Sequence, residues 1–369
     1  MAGCGVGRRH TTTSRRTRPR RRKGGDMSDR RVLILAEGFS GDPHFGKTAR
    51  GVMRYRPAEV VALLDSERAG ETEGGFPIVG SVADALALKP TVALVGVAPA
   101  GGRFPPAWRA ILRQCIEAGL DIESGLHEFL IRDDEMTALA AMHGVSLRDL
   151  RLAPSGLNVP TGANLTHGSK VVTTVGSDCA IGKMTVALEL DAEAQRRGIK
   201  SEFVPTGQTG IAIAGWGMSV DAVVADFIAG ATEQLVMEGV ERGGELLWIE
   251  GQGSLLHPSY SGVTLGLIHG SAPHVYVLCD KPVEPFVDEN PAFPKPSYTF
   301  LVDLHERMSL IGRPAKVAAI ALNTQGLTDE GARAAVSAAE ADSGLVADDP
   351  VRFGATRLVD AVLSALGEL

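Results

Sequence analysis

Cysteine is scarce and dispersed. The four residues, Cys4, Cys115, Cys179 and Cys279, form no C-x-x-C pair. That excludes a disulfide framework or a cysteine zinc site and fits a reducing compartment. Aromatics make up only 5% of the chain, so the core has to be built from small aliphatic residues, which suits close helix–sheet packing. No window of about 18 apolar residues occurs, which excludes a membrane-spanning helix. Basic charge is also short over most of the length. Residues 1–26 hold nine of the 37 Lys and Arg residues and a single acid, Asp26; the remainder carries 28 basic and 43 acidic residues, a net of −15. An acidic body argues against nucleic acid as a partner.

The basic leader has three readings: a targeting segment, a nucleic-acid arm, or translated upstream sequence with Met27 as the true start. No apolar stretch of about 7–15 residues follows the arginines, which disfavours a secretory or twin-arginine signal. Residues 1–30 are expected to be a disordered and dispensable extension.

What the chain does have is alternation. Its 369 residues are enough for about two domains. Apolar runs at 32–36, 60–65 and 91–97 read as strands, with helices at 81–88 and 106–118. This predicts a Rossmann-like parallel-sheet domain over 31–150. The Pro- and Gly-punctuated stretch 151–169 reads as a linker. Alternation restarts at 170, with strands expected at 170–175, 201–205, 245–249, 274–278 and 315–322. Helices are expected at 183–197, within 219–230, at 326–341 and at 355–366. The fold class is therefore α/β, a Rossmann-like domain followed by a P-loop NTPase-like domain over 170–369.

Two segments compete as phosphate cradles. Gly41-Asp42-Pro43-His44-Phe45-Gly46-Lys47-Thr48 matches G-x-x-x-x-G-K-[ST] letter for letter. Its context is poor, because it stands off from the preceding strand and the helix after it is short. Lys47 and Thr48 still lie where they can line a cleft beyond the first strand. Asp65, ending the second strand, is placed either as a ribose-binding acid or as a helix cap.

The loop from Gly176 through Ser177, Asp178, Cys179, Ala180, Ile181, Gly182, Lys183, Met184 and Thr185 has one residue too many for the pattern. Its context is right: a strand enters it and a helix leaves it at Gly-Lys. Backbone amides and the helix N-terminus then attract an anion, and the lysine adds a point charge. The hydroxyl that would ligate Mg²⁺ directly after the lysine is replaced by Met184. Either Thr185 substitutes or the loop holds phosphate without ordinary phosphoryl transfer.

Further candidates lie at strand ends, where α/β sites form. Glu250 closes the run Leu246-Leu247-Trp248-Ile249 and is read as a metal or water ligand or a base. Beyond it come Gln252, Ser254, His257 and His269 in a glycine- and hydroxyl-rich stretch. Gln208 and Thr209 sit in a loop after another strand. Asp221 and Asp226 are caps or ligand contacts. Asn323 is placed either to read a nucleobase or to form a turn.

Several phrases resemble a family: VGSDCAIGKMT, VPTGQTGI, DAVVADFIAGA, IEGQGSLLHPSYSGVTLGLIHG and GLHEFL. It is a P-loop family long of unknown function that includes D-glutamate N-acetyltransferases. The loop spacing is also similar to dethiobiotin synthetase-like proteins. The resemblance implies transfer of an acetyl group from acetyl-CoA to a D-amino acid, D-glutamate above all. The alternatives are an ATP- and Mg²⁺-dependent ligase or kinase, or a non-catalytic nucleotide-binding regulator. On the first reading residues 176–179, 182–185 and Asn323 bind the cofactor. Gln208, Thr209, Gln252 and Ser254 face substrate. Glu250 or His257 is the base, amides around 251–254 stabilise the oxyanion, and no metal is required. The expected partners are a small-molecule substrate and further copies of the chain in a cytoplasmic homo-oligomer.

Overall fold

The computed structural model describes residues 30–42, 46–97, 102–105 and 107–367. The basic leader and the middle of the 41–48 pattern lie outside these residues. The first sheet has seven strands: β1 (Val32–Leu35), β2 (Val60–Leu64), β3 (Thr72–Glu73), β4 (Phe76–Val79), β5 (Val92–Val95), β6 (Asp121–Ser124) and β7 (Leu147–Asp149). Their order is β3-β4-β2-β1-β5-β6-β7, and only the β3–β4 pair is antiparallel. Helices α1 (Lys47–Tyr55), α2 (Val82–Leu86), α3 (Trp108–Glu117) and α4 (Asp134–His143) connect them.

The second sheet comprises β8 (Lys170–Gly176), β9 (Ser201–Val204), β10 (Leu246–Ile249), β11 (Val275–Asp280), β12 (Lys316–Leu322) and β13 (Val346–Asp348). All pairs are parallel, in the order β13-β12-β11-β8-β10-β9. Its helices are α5 (Lys183–Arg196), α6 (Gln208–Ala214), α7 (Ile228–Glu241), α8 (Ser261–Ser271), α9 (Tyr298–Arg307), α10 (Asp329–Ser343) and α11 (Thr356–Gly367). The central strands β1, β5, β10 and β11 are buried at every residue. Strands covered on both faces need continuous apolar runs, which is the pattern these segments carry.

Two expected elements differ. The helix placed within 219–230 begins only at Ile228; Val220–Ala222 and Ala225–Phe227 are single 3₁₀ turns. The β-branched residues there disfavour a helix, and Asp221 is drawn instead to Arg151 at 2.7 Å. The loop expected at 206–210 opens α6. The glycine-rich stretch after Ser261 forms α8. Gly266 and Gly270 share one face of α8, where a Cβ would stand 2.6 Å from Ile228 Cγ2 and 2.2 Å from Ala229 O respectively. Those glycines record close approach of α8 to α7, not chain reversal.

In each sheet the strand order reverses at the first strand of the unit. β1 is flanked by β2 and β5, and β8 by β10 and β11. Ligands of open α/β sheets bind beyond the carboxyl ends of strands at such a point. Here the segment after β1 leads into α1 and the segment after β8 is the glycine loop. α1 packs on α6 of the second sheet, and one apolar cluster runs through both units, from Ala49 and Val52 to Met184, Ile211 and Ile213. Arg54 pairs with Glu189 at 2.7 Å, and Arg56 Nε donates to Ile213 O at 2.8 Å. The two switch points are thereby held face to face.

Candidate active site between the two sheets

A cavity of about 710 Å³ lies between the glycine loop and α1. Its floor is Cys179, Ala180, Gly182, Lys183 and Met184. The amides of Ala180, Ile181 and Gly182 have no protein acceptor among the described residues, and the first amides of α5 lack one by helix geometry. Together they form an anion cradle at a positive helix end. Lys183 is buried, and its Nζ donates to Asp178 O at 2.5 Å. Burial, the main influence, lowers its pKa, so an anion that restores its charge environment is favoured there.

Glu250 borders the same cavity at the end of β10. Its Oε2 accepts the amides of Thr206 at 2.9 Å and Gly207 at 3.0 Å. Those bonds favour the ionised form, as does the charge of Lys47. Burial outweighs them and pushes the carboxyl up to about 7. A carboxylate that shares its proton evenly near neutral pH is suited to general base work. The fit is tight, since a Cβ on Gly210 of α6 would stand 2.3 Å from Oε2.

The remaining wall comes from the first sheet. Lys47, Arg50, Gly51, Arg54 and Tyr55 line the cavity from one face of α1, the i, i+3, i+4, i+7 spacing of a helical stripe. A smaller cavity of about 420 Å³ adjoins it past Gly182, Thr185, Asn323 and Arg54. Anion cradle, buried carboxylate and cationic wall are thus contiguous.

The comparisons with known proteins accord with this geometry. A family model described as "Domain of unknown function (DUF1611_C) P-loop domain" matches residues 158–359. Its Rossmann-like companion, DUF1611_N, matches residues 65–153. The chain belongs to the DUF1611 family. It is 39% identical over 330 residues to a D-glutamate N-acetyltransferase of Tritonibacter scottomollicae, covering 89% of this chain and 97% of the other. It is 34% identical over 280 residues to a D-glutamate N-acetyltransferase of a Pseudoalteromonas species, covering 76% and 83%. A crystal structure of a DUF1611 family protein from Anabaena variabilis superposes with a TM-score of 0.84 at 40% identity, covering 91% of this chain and all of that one.

Within this DUF1611 chain the candidate residues divide sharply. Gly182, Cys179, Lys183, Met184, Thr185, Glu250, Gln252 and Asn323 line the main cavity. Ser177 and Asp178 do not, and instead brace the loop. Ser177 Oγ hydrogen-bonds Asp280, and Ser254 Oγ donates to Ser177 O at 2.9 Å. Asp178 accepts the amides of Cys179 at 2.6 Å and Asp288 at 2.7 Å. Asn323 donates to Ile181 O at 3.2 Å and accepts the Gln325 amide at 3.1 Å, so both ends of its amide are engaged in holding the loop.

Gln208 and Thr209 do not line this cavity. Gln208 accepts from Arg151 at 2.9 Å, and Thr209 meets Thr48 at 2.9 Å across the two units. Gly125 of the GLHEFL phrase approaches Gln208 closely, so that phrase also serves this junction. The geometry moves His257 out of the base role. It does not line the cavity, and its Nδ1 accepts the Ser259 amide at 3.1 Å. The ring proton then sits on Nε2, 3.4 Å from Asp288 Oδ1, leaving no free lone pair. Asp178, Cys179 and His257 gather within 4.8 Å. The same tautomer bars the imidazole from ligating through Nε2, so the trio reads as a loop lock. His269 Nε2 lies 3.2 Å from Met308 O.

Other expectations change with the contacts. The Gly251 amide is taken by Thr174 Oγ1 at 2.9 Å; among the cavity-lining residues after β10, the amides of Gln252 and Gly253 have no acceptor among the described residues. Asp65 accepts the amides of Gly38, Ser40 and Glu67, which makes it a cap and loop anchor. Met184 is buried at the contact with α1, its Cε 3.8 Å from where a Gly51 Cβ would be. Sequence reasoning placed Lys47 and Thr48 at a cleft; Lys47 does line it, whereas Thr48 turns to Thr209, and Arg50, Gly51, Arg54 and Tyr55 of the same helix face went unnoticed.

Proposed function

We propose that this chain is an N-acetyltransferase that moves the acetyl group of acetyl-CoA onto the amine of D-glutamate. The observation that carries it is the meeting of an anion cradle with a buried carboxylate titrating near neutrality, in one cavity. Family relatives named for this activity, matched over most of their length, support the same reading.

Acetyl-CoA carries a pyrophosphate that the loop amides and Lys183 suit. The 420 Å³ cavity beside Gly182 has room for the nucleobase end of the donor. Glu250 accepts a proton from the substrate ammonium, the freed nitrogen attacks the acetyl carbon, and the amides of Gln252 and Gly253 stabilise the oxyanion. The C–S bond then breaks, and the thiolate leaves with the second proton that the nitrogen sheds as the amide forms. Met184 offers no hard oxygen for Mg²⁺, which favours a phosphate anchor over phosphoryl transfer. No helix among the described residues is long and apolar enough to cross a membrane. A cytoplasmic homo-oligomer acting on a small molecule remains our reading.

The test is a mass-spectrometric screen of D- and L-amino acids with acetyl-CoA and, separately, with Mg²⁺-ATP. Acetylation of D-glutamate is the expected outcome. Turnover only with ATP would replace this reading by the ligase or kinase alternative.

A further inference from the structure

We infer that Lys47 and Arg50 of α1 form the subsite for the acceptor's carboxylates, so that the Rossmann-like unit selects an acidic amino acid while the P-loop unit holds the donor. This rests on the acetyltransferase reading above.

The charge pattern of the cavity carries the argument. Five cationic side chains line it: Lys47, Arg50, Arg54, Lys183 and Lys281. Three are already committed. Arg54 pairs with Glu189, Lys281 pairs with Glu284, and Lys183 is part of the cradle. Lys47 and Arg50 have no carboxylate partner among the described residues. Of the two acids on the wall, Asp221 is bound to Arg151, and Glu250 is the base. The cavity therefore presents two uncompensated cations on the wall opposite the cradle.

Position separates their role from that of Lys183. The smaller cavity continues from the P-loop past Arg54 and Asn323, and neither Lys47 nor Arg50 borders it. The donor's nucleotide end accordingly runs away from them. Lys47 acts electrostatically on Glu250 and on Lys183, so it stands where the base and the reacting end of the donor meet. An amino acid whose nitrogen reaches Glu250 brings its α-carboxylate along, two bonds away, and a side-chain carboxylate a few bonds further. α1 strengthens the subsite: its first turn contains no acid and no side-chain cap, so its positive end adds to Lys47. An arginine fork beside a lysine suits two carboxylates on one small molecule.

The experiment uses the full chain and the variants Lys47→Met, Arg50→Gln and the double variant. Steady-state rates are measured with D-glutamate and with D-glutamine, and acetyl-CoA binding is measured by calorimetry on the same preparations. Loss of a charge-assisted contact predicts a rise in KM for D-glutamate of about ten- to a hundred-fold in each single variant. Acetyl-CoA affinity should stay within about two-fold, and preference for D-glutamate over D-glutamine should fall in step with KM. Weakened acetyl-CoA binding with an unchanged KM for D-glutamate overturns the inference and assigns the pair to the donor. An unmodified chain that acetylates no amine overturns the acetyltransferase reading instead. Circular dichroism confirms that each variant is folded; if Lys47→Met is not, Arg50→Gln carries the test alone.

Discussion

Replacing Glu250 by Gln probes the base through stability as well as rate. The side chain keeps its shape, and the new carbonyl oxygen can accept the Thr206 and Gly207 amides. What changes is titration. In the folded chain burial raises the carboxyl to about 7, from an ordinary value of 4.5. The unfolded chain thus releases this proton at lower pH than the folded chain. Stability from this group is full below about pH 4.5 and is lost as pH rises through 7. The gap amounts to about 3 kcal/mol overall, of which about 2.5 kcal/mol falls between pH 5 and pH 8. Glutamine is free of that penalty. Denaturant unfolding of both proteins at pH 5 and pH 8 should therefore show the variant gaining on the parent by about 2.5 kcal/mol at the higher pH. Groups common to both proteins cancel in the comparison. The variant's kcat should fall by about 10²–10⁴-fold, and the rise in rate near pH 7 should disappear. A stability difference that does not change with pH refutes the raised pKa, and with it the physical case for Glu250 as base.

Other consequences can be checked separately. Lys183→Ala should weaken acetyl-CoA binding by at least about ten-fold in calorimetry, because a buried charge-assisted contact is removed. Gly210→Ala would set a Cβ 2.3 Å from Glu250 Oε2; a cost of about 1–3 kcal/mol in chemical denaturation, with loss of activity, is expected. Acetyl-CoA at about 100 times its Kd should stabilise the fold by about 2.7 kcal/mol in thermal unfolding. Mg²⁺-ATP should do so less, because Met184 replaces the usual metal-ligating hydroxyl.

Strands such as β1, β2, β5, β10 and β11 were legible because each is a continuous apolar run, which parallel strands buried on both faces need; β3, β4, β6, β7 and β13 were missed because they are short or carry charged residues. The loop after β8 was legible because it joins a strand to a helix through Gly-Lys. Glu250 was legible from its place at a strand's end. The failures share one cause, which is contact with a distant element. Asp221 read as a cap or a ligand contact, and its partner Arg151 lies seventy residues away in sequence. His257 looked like a base until the Ser259 amide set its tautomer.

The order of residues alone determines two α/β units, an anion cradle at 176–185 and an acid at the end of β10, since these depend on local periodicity and turn chemistry. The tertiary structure alone decides that α1 closes over that cradle. Lys47 is more than a hundred residues from Lys183 in sequence, and nothing local couples them. Their meeting depends on two switch points packed face to face around a shared apolar cluster. Close approach of Gly207 and Gly210 buries Glu250 and raises its carboxyl, which no reading of neighbouring residues can supply.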